Sequence, residues 1–226
     1  RDLLADLLSD YEVVVAAPDN DQPLPEFDLC LVGEATYRTV ADTPRDRKET
    51  AGESYLPVLL LIREHKEEEI SQYLRGVADD TLQIPATEAV AKSRVESLLR
   101  TRHQSLQLAL YRRAMDDATA GITIADADND QPFSYVNDAM VEMTGYEREE
   151  IIGSPTDIIK DEAAVEEAEN QLGSILSHEG PDTAQFPVDI QPKAGEPIPC
   201  QDHMAVLPYQ GEAFRGSVGI LRNTCS

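Results

Sequence analysis

The stretch from Pro132 to Gly153, PFSYVNDAMVEMTGYEREEIIG, constrains the fold most, because it encodes a strand and two helix starts within a few residues. Phe133–Val136 is rich in β-prone residues, and the side chain of Asn137 can accept a hydrogen bond from the free amide groups that open a helix. That helix is predicted over Ala139–Thr144. Gly145 suits the left-handed conformation that ends a helix, and the acidic residues after it favour a second helix start.

This order of elements resembles the PAS fold. The residues YVNDAMVEMTGYEREEIIG are similar to that family's strand, its N-x-A-x-x-x-x-T-G-Y helix and its E-x-x-G turn, almost position by position. The resemblance implies an α+β domain with a five-stranded antiparallel sheet, which we assign to residues 118–226. Its other predicted elements are a strand at Ile122–Ala125, a helix at Glu162–His178 and strands at Thr183–Pro192, Pro197–Tyr209 and Ala213–Leu221.

The first part of the chain alternates apolar runs with polar, helix-compatible stretches, as a parallel α/β sheet requires. The predicted helices are Asp2–Ser9 and Lys66–Arg75, and the predicted strands are Tyr11–Ala17, Phe27–Val32, Leu56–Ile62 and Thr81–Ile84. The phrases RDLLADLLSDYEVVVA, FDLCLV, LPVLLLI and ADDTLQIPATEAVAKSRVESLLR resemble the receiver domain of response regulators, in that family's order. The resemblance implies a flavodoxin-like domain over residues 1–86 that lacks its first strand.

The positions that carry phosphoryl chemistry in receivers hold other residues here. Gly33 stands where the phosphate-accepting aspartate would close its strand, Ile62 stands at the switch Ser/Thr, and Ile84 replaces the lysine before the proline. Phosphoryl transfer needs a carboxylate nucleophile, a metal and a nearby cation. We therefore predict a degenerate receiver-like domain that accepts no phosphoryl group.

A continuous helical pattern joins the two parts, over residues 87–117. Its apolar stripe comprises Val95, Leu98, Leu99, Leu106, Ala109 and Leu110. One interpretation is a signalling helix through which two chains form a homodimer. The other is a helix that packs on its own two domains, and the sequence favours neither.

The charge limits the partners. Asp and Glu total 43 against 19 Lys and Arg, which leaves a net charge of −24, and this is typical of proteins that work in strong salt. We expect a halophilic protein, with an acidic protein of ordinary salinity as the alternative. Nucleic acids and anionic membranes are poor partners for this segment.

Three widely spaced cysteines form no CxxC pair, so a disulfide framework and a zinc site are not expected. No apolar run approaches the length of a membrane span, and the first residues do not resemble a signal peptide. We expect a cytoplasmic protein and a segment of a longer chain.

The ligand of the PAS-like domain is not specified by the sequence. In the LOV branch of the family a reactive thiol bonds flavin, and Thr156 stands in its place, so no covalent flavin adduct is expected. A haem is not expected either, because His178 and His203 suit solvated positions better than an axial site, and no metal site is predicted. By analogy with the fold, the pocket candidates are Tyr135, Asn137, Met143, Thr156 and Ile158. The alternative is a pocket filled by its own side chains.

Two functions remain compatible with this organisation. The first is a sensory and regulatory module in which the PAS domain senses a noncovalent ligand or contacts a partner protein and relays the signal to an output domain. The second is the N-terminal sensor part of a histidine kinase, as in two-component systems. No catalytic residues are predicted in this segment, so we do not expect it to be an enzyme. The domain pairing is similar to that of haloarchaeal regulators, including bacterio-opsin-activator-like, HTR-like and sensory-box proteins, which implies an output that could regulate transcription.

Overall fold

The computed structural model describes residues 8, 10–14, 26–40, 42–50, 52, 54–63, 77–126, 132–176, 183–209 and 212–224. The chain divides into two compact units, Arg1–Tyr111 and Arg112–Ser226, with the boundary inside one long helix. The predicted helix at Lys66–Arg75 lies outside the described residues, as does nearly all of the helix predicted at Asp2–Ser9. Residues 11–14 of the predicted strand Tyr11–Ala17 are not in a strand, and Val13 and Val14 are 42% and 62% exposed.

The first unit contains a three-stranded parallel sheet in the order β1-β2-β3. Its described elements are β1 (Cys30–Gly33), α1 (Glu34–Val40), α2 (Asp42–Thr50), β2 (Val58–Ile62), β3 (Asp80–Gln83) and α3 (Glu88–Asp116). The bounds of each strand lie within three residues of those predicted for it. The run of Val, Leu and Ile in β2 suits a strand that is buried on both faces.

Both faces of this sheet are covered. On one face, Leu59 and Leu61 pack with Val95 and Leu98 of α3. On the other face, the residues of β2 that alternate with Leu59 and Leu61 pack with Tyr37 of α1. All five residues of β2 are buried, as expected for the central strand of a parallel sheet.

The second unit contains a five-stranded antiparallel sheet in the order β5-β4-β8-β7-β6, which confirms the sheet predicted for the PAS-like part. Its elements are β4 (Gly121–Asp126), β5 (Phe133–Val136), α4 (Asp138–Thr144), α5 (Arg148–Ile151), a 3₁₀ turn (Thr156–Ile158), α6 (Glu162–Leu176), β6 (Thr183–Ile190), β7 (Ile198–Tyr209) and β8 (Glu212–Asn223).

The core of this unit lies on one face of the sheet. Alternate residues of β6 and β7 point into it, and the buried members include Phe186, Val188, Ile190, Cys200 and Met204. Helices α4 and α6 supply Met140, Ala164 and Leu172 from the opposite side. The alternation of buried and exposed positions in β6 follows from the two-residue period of a strand.

The residues that cap the two short helices α4 and α5 lie where the sequence predicts the ends of α4 and the start of α5. Asn137 caps α4, and Gly145 follows it with a φ of 70°, a left-handed conformation that favours glycine. Glu147 and Glu150 form a reciprocal capping box at the start of α5. These local signals place the two helices against β4 and β5, next to the end of α3.

Candidate functional site

The side chain of Asn137 connects three elements of the second unit. Its Oδ1 accepts hydrogen bonds from the amides of Met140 at 3.1 Å and Ile122 at 2.8 Å, so it caps α4 and holds the start of β4. Its Nδ2 donates to the main-chain carbonyls of Met115 and Ala120, both at 2.9 Å. Asn137 is fully buried, and these four bonds use both donors and both acceptor lone pairs of its amide.

Asp116, in the last turn of α3, is held by two side chains. The Tyr135 hydroxyl donates to Asp116 Oδ1 at 2.8 Å, and Arg148 Nη2 lies 3.5 Å from the same oxygen. Arg148 also donates to the carbonyl of Val136 and pairs with Asp138. Burial, followed by the bond to Asp116, raises the pKa of Tyr135 to about 12, because both disfavour the phenolate. We call the contacts of Asn137, Tyr135 and Arg148 with residues 115–116 the helix junction.

A buried ion pair lies in the core of the same unit. Lys160 Nζ is 2.9 Å from Asp202 Oδ2, and the two side chains are 8% and 1% exposed. Lys160 Nζ also lies 5.9 Å from the ring centroid of Phe186. Among the described residues, Asp202 Oδ1 is the buried side-chain oxygen without a hydrogen-bond partner. Buried charges in proteins are normally paired and hydrogen-bonded, so this half-satisfied carboxylate is an unusual feature of the core.

The five pocket candidates lie in three different places. Tyr135 and Asn137 belong to the helix junction, where protein groups occupy their polar atoms. Met143 and Ile158 pack at the edge of the buried core, and the Cys200 thiol lies 3.8 Å from Met143 Sδ. Thr156 begins the 3₁₀ turn and is partly exposed. Ligand binding by these residues stays a prediction.

Sequence reasoning missed Lys160, Asp202, Asp116 and Arg148. A signal existed for Asp202, because it shares the parity of Cys200 and Met204 in a predicted strand and therefore points to the same, inward face. The other three show no periodic signal of this kind, since their partners lie 10 to 42 positions away.

The degenerate receiver positions come together at one edge of the parallel sheet. Gly33 is the last residue of β1, Ile62 is the last residue of β2, and Ile84 directly follows β3. The amide of Ile84 donates to the carbonyl of Ile62 at 2.7 Å. The carboxyl ends of these three strands therefore carry one glycine and two isoleucines at the predicted positions.

Helix α3 changes character along its length. Ala91, Val95 and Leu98 are buried against the parallel sheet. Leu106, Leu110 and Tyr111 are 40%, 63% and 60% exposed. The predicted apolar stripe is therefore buried in its first half and exposed in its second half.

No helix within the described residues has the length and apolar character needed to cross a bilayer. In the same part of the chain, no group of three or more His, Cys, Asp and Glu side chains is placed to hold a metal ion. His203 lies on the exposed face of β7, where Gln185 is 3.0 Å from its Nε2, and His178 lies outside the described residues.

Comparison with known proteins identifies the second unit. Residues 119–224 match the family model described as a PAS domain. This part of the chain is a PAS domain, a sensor domain of signal-transduction proteins.

Individual relatives share shorter or more distant similarity. The bacterioopsin transcriptional activator of Halobacterium salinarum is 44% identical over 46 residues, which cover 20% of this chain and 7% of the activator. The chain thus matches only a small part of that protein's length.

Two solved structures illustrate the structural similarity. The PAS domain of an HTR-like protein from Haloarcula marismortui is 17% identical, with a TM-score of 0.46, and the match covers 55% of this chain and 97% of that one. The LOV domain of a blue-light activated histidine kinase from Erythrobacter litoralis EL346 is 27% identical, with a TM-score of 0.40 and coverage of 46% and 95%.

Proposed function

We propose that this chain is a sensory and regulatory module in which the PAS domain controls the position of helix α3. The helix junction is the observation that carries the proposal. Asn137 holds Met115 of α3, Ala120 and the start of β4 while it caps α4, so a shift of α4 or β4 must break or move its bonds to α3. A signal in the PAS core thereby reaches the helix.

A relay of this kind requires two arrangements that the signal stabilises differently. A noncovalent ligand or a partner protein shifts the equilibrium only by the difference between its affinities for the two arrangements. In the docked arrangement, the hydrogen bonds at Asn137 and Asp116 hold the end of α3 against the PAS core. In the released arrangement these bonds are broken.

We further propose that the first unit is a pseudo-receiver, a receiver-like domain without phosphoryl transfer. The three parallel strands in sequential order support this, because the flavodoxin-like order 2-1-3-4-5 contains such a run of three at one side. Gly33 offers no carboxylate at the end of β1. Incubation with acetyl phosphate and Mg²⁺ should leave the mass of the intact protein unchanged, and a gain of one phosphoryl group on Asp or Glu would refute this assignment.

The exposed second half of α3 supports a homodimer. Leu106 and Leu110 lie four residues apart and therefore on one side of the helix, with Tyr111 beside Leu110. Burial of this surface against a second copy would remove three large apolar side chains from water. Light scattering should then give a dimer that L106E/L110E converts to a monomer, whereas a charge added at exposed Thr101 on the same helix, T101E, should not.

We place the protein in the cytoplasm and its output in a domain that follows this segment, with no catalytic role for the segment itself. The similarity to a transcriptional activator supports an output that acts on transcription. In a deletion strain complemented with the full gene, D116N should change the transcript profile while protein abundance stays constant, and an unchanged profile would contradict the relay.

The alternative, a sensor for a histidine kinase, predicts instead that the full-length protein incorporates the γ-phosphoryl group of ATP on histidine.

A further inference from the structure

We propose that one side of α3 is a docking surface for an acidic amphipathic helix of a partner protein. We call this surface the Leu108 face, and its members are Arg100, Gln104, Leu108, Tyr111 and Arg112. This partner is additional to the second copy of the chain and to the signal of the PAS domain that are proposed above.

The members of the Leu108 face lie on one side of the helix. Arg100, Gln104 and Leu108 are each four residues apart, and Tyr111 and Arg112 follow Leu108 by three and four residues. Side chains at these intervals are neighbours on a helix surface, whereas side chains two residues apart are not. Leu108 is two residues from each leucine of the proposed dimer surface, so it points to another side of α3.

The apolar members of this face are strongly exposed. Leu108 is 68% exposed, more than any other large apolar side chain in the part of the chain that the structure describes, and Tyr111 is 60% exposed. The other three members are exposed as well. Single exposed leucines are common on soluble proteins, so exposure alone does not identify an interface. The charges around Leu108 supply the second observation.

This part of α3 reverses the charge of the rest of the chain. The sequence has 43 acidic residues among 226, about one in five, yet residues 97–115 contain none and form its longest stretch without Asp or Glu. The same 19 residues contain four arginines, at positions 100, 102, 112 and 113. A positive surface that carries exposed apolar side chains therefore lies on a molecule with a net charge of −24, and a negatively charged partner complements it.

The arginines of this stretch have different tasks. Arg102 is only 14% exposed, and its guanidinium donates to the carbonyl of Tyr55 at 3.0 Å and to Ser54 Oγ at 3.2 Å, so it holds α3 on the first unit. Arg100 is exposed and makes no ion pair with the residues that the structure describes. A guanidinium group matches the geometry of a carboxylate, so Arg100 is suited to pair with an acidic side chain of a partner.

The pattern of the face fits a helix better than other partners. Apolar side chains flanked by charges are the arrangement by which paired helices choose one another, since the flanking charges must be opposite. A second copy of the same face would bring arginines against arginines. Nucleic acid would bring phosphates towards a chain that is strongly acidic elsewhere. An acidic helix with leucine-like side chains satisfies both the arginines and Leu108.

Three matched peptides tested on the whole chain at molar KCl probe this surface. Each has about 21 residues, three heptads, with Leu at positions a and d, and the three carry Glu, Gln or Lys at positions e and g. Fluorescence anisotropy should show binding of the Glu peptide. The affinity should be about fivefold weaker for the Gln peptide and weaker still for the Lys peptide, since two exposed ion pairs together contribute about that factor.

Variants of the face locate the binding. R100E should weaken binding of the Glu peptide and strengthen binding of the Lys peptide, whereas R222E, the same charge change at an exposed arginine of β8, should leave their ratio unchanged. L108Q should weaken the Glu peptide by about tenfold, because an apolar side chain no longer leaves water on binding. L106E/L110E, on the dimer surface, should keep the preference for the Glu peptide.

Four results would overturn the proposal: no binding of the Glu peptide, equal affinities for the three peptides, an unchanged Glu-to-Lys ratio in R100E, or tighter binding of a DNA duplex than of the Glu peptide. The last result would assign the face to nucleic acid instead. None of them bears on the relay, which variants of the helix junction test without a peptide.

Discussion

The side-chain amide of Asn137 donates a hydrogen bond to the main-chain carbonyl of Met115, 2.9 Å away, while its oxygen caps helix α4. One residue therefore joins the last turn of α3 to the first turn of α4. Because the amide has no unused donor or acceptor, neither helix can move independently of the other without the loss of a buried hydrogen bond.

The substitution N137D should separate the two roles of this residue. Aspartate caps a helix as well as asparagine does, but its second oxygen would face the carbonyls of Met115 and Ala120 instead of donating to them. We expect a loss of about 2 kcal/mol or more in the free energy of unfolding and faster amide exchange at residues 112–117. Denaturant titration and hydrogen exchange at molar KCl measure both. The same change at exposed Asn170 of α6, N170D, is the control and should have little effect.

Tyr135 should make the PAS domain less stable at alkaline pH. Its pKa is raised to about 12 in the folded state, against about 10 for an ordinary tyrosine. Between these two pH values the folded state keeps a proton that the unfolded state has lost. The stabilising contribution of Tyr135 to the free energy of unfolding is therefore complete below pH 10 and disappears as the pH rises towards 12. Y135F should show a shallower fall of stability over this range, measured by denaturant titration at several pH values. Y111F, at a 60% exposed tyrosine, should follow the wild type, and parallel curves for Y135F and wild type would contradict the assignment.

Removal of one partner of the ion pair in the core should destabilise the protein strongly, whereas replacement of both partners by apolar side chains should destabilise it much less. K160M leaves the buried Asp202 carboxylate without its cation, and we expect a loss of about 3–5 kcal/mol in stability. The double variant K160M/D202L removes both charges and should recover most of that loss. Denaturation of the two single variants and the double variant gives the coupling energy, and strictly additive effects would show that the residues do not interact.

The second half of the chain should depend more strongly on salt. Residues 113–226 carry 22 acidic and six basic residues, against 21 and 13 in residues 1–112. Repulsion within the more acidic half is screened by salt, since the Debye length falls to about 3 Å at 1 M. Thermal unfolding can be followed by hydrogen exchange of individual amides at 0.2 M and 3 M KCl. The melting midpoint should rise more between the two concentrations for amides of the PAS domain than for amides of the first unit. Equal midpoints at both concentrations would contradict the halophilic interpretation.

Part of the fold was predictable because its signals are local. The Asn137 cap, Gly145 and the alternating strands act over a few residues, and the structure has the capped helix and the five-stranded antiparallel sheet that they predict. The parallel strands of the first unit were found from apolar runs alone. The stretch at residues 11–14 shows the weakness of such runs, because apolar residues form a strand only where a neighbouring strand is present to pair with them.

The sequence by itself determined the PAS domain, the acidic charge and the long helix, because composition, periodicity and short-range capping are written in neighbouring residues. Only the tertiary structure decided that Asn137 and Tyr135 hold the end of α3, and that Lys160 meets Asp202 from 42 positions away. Pairings of this kind depend on how strands and helices are brought together, and no local pattern encodes the distance between them. The polar contacts on which the proposed relay rests were therefore visible only in the folded chain.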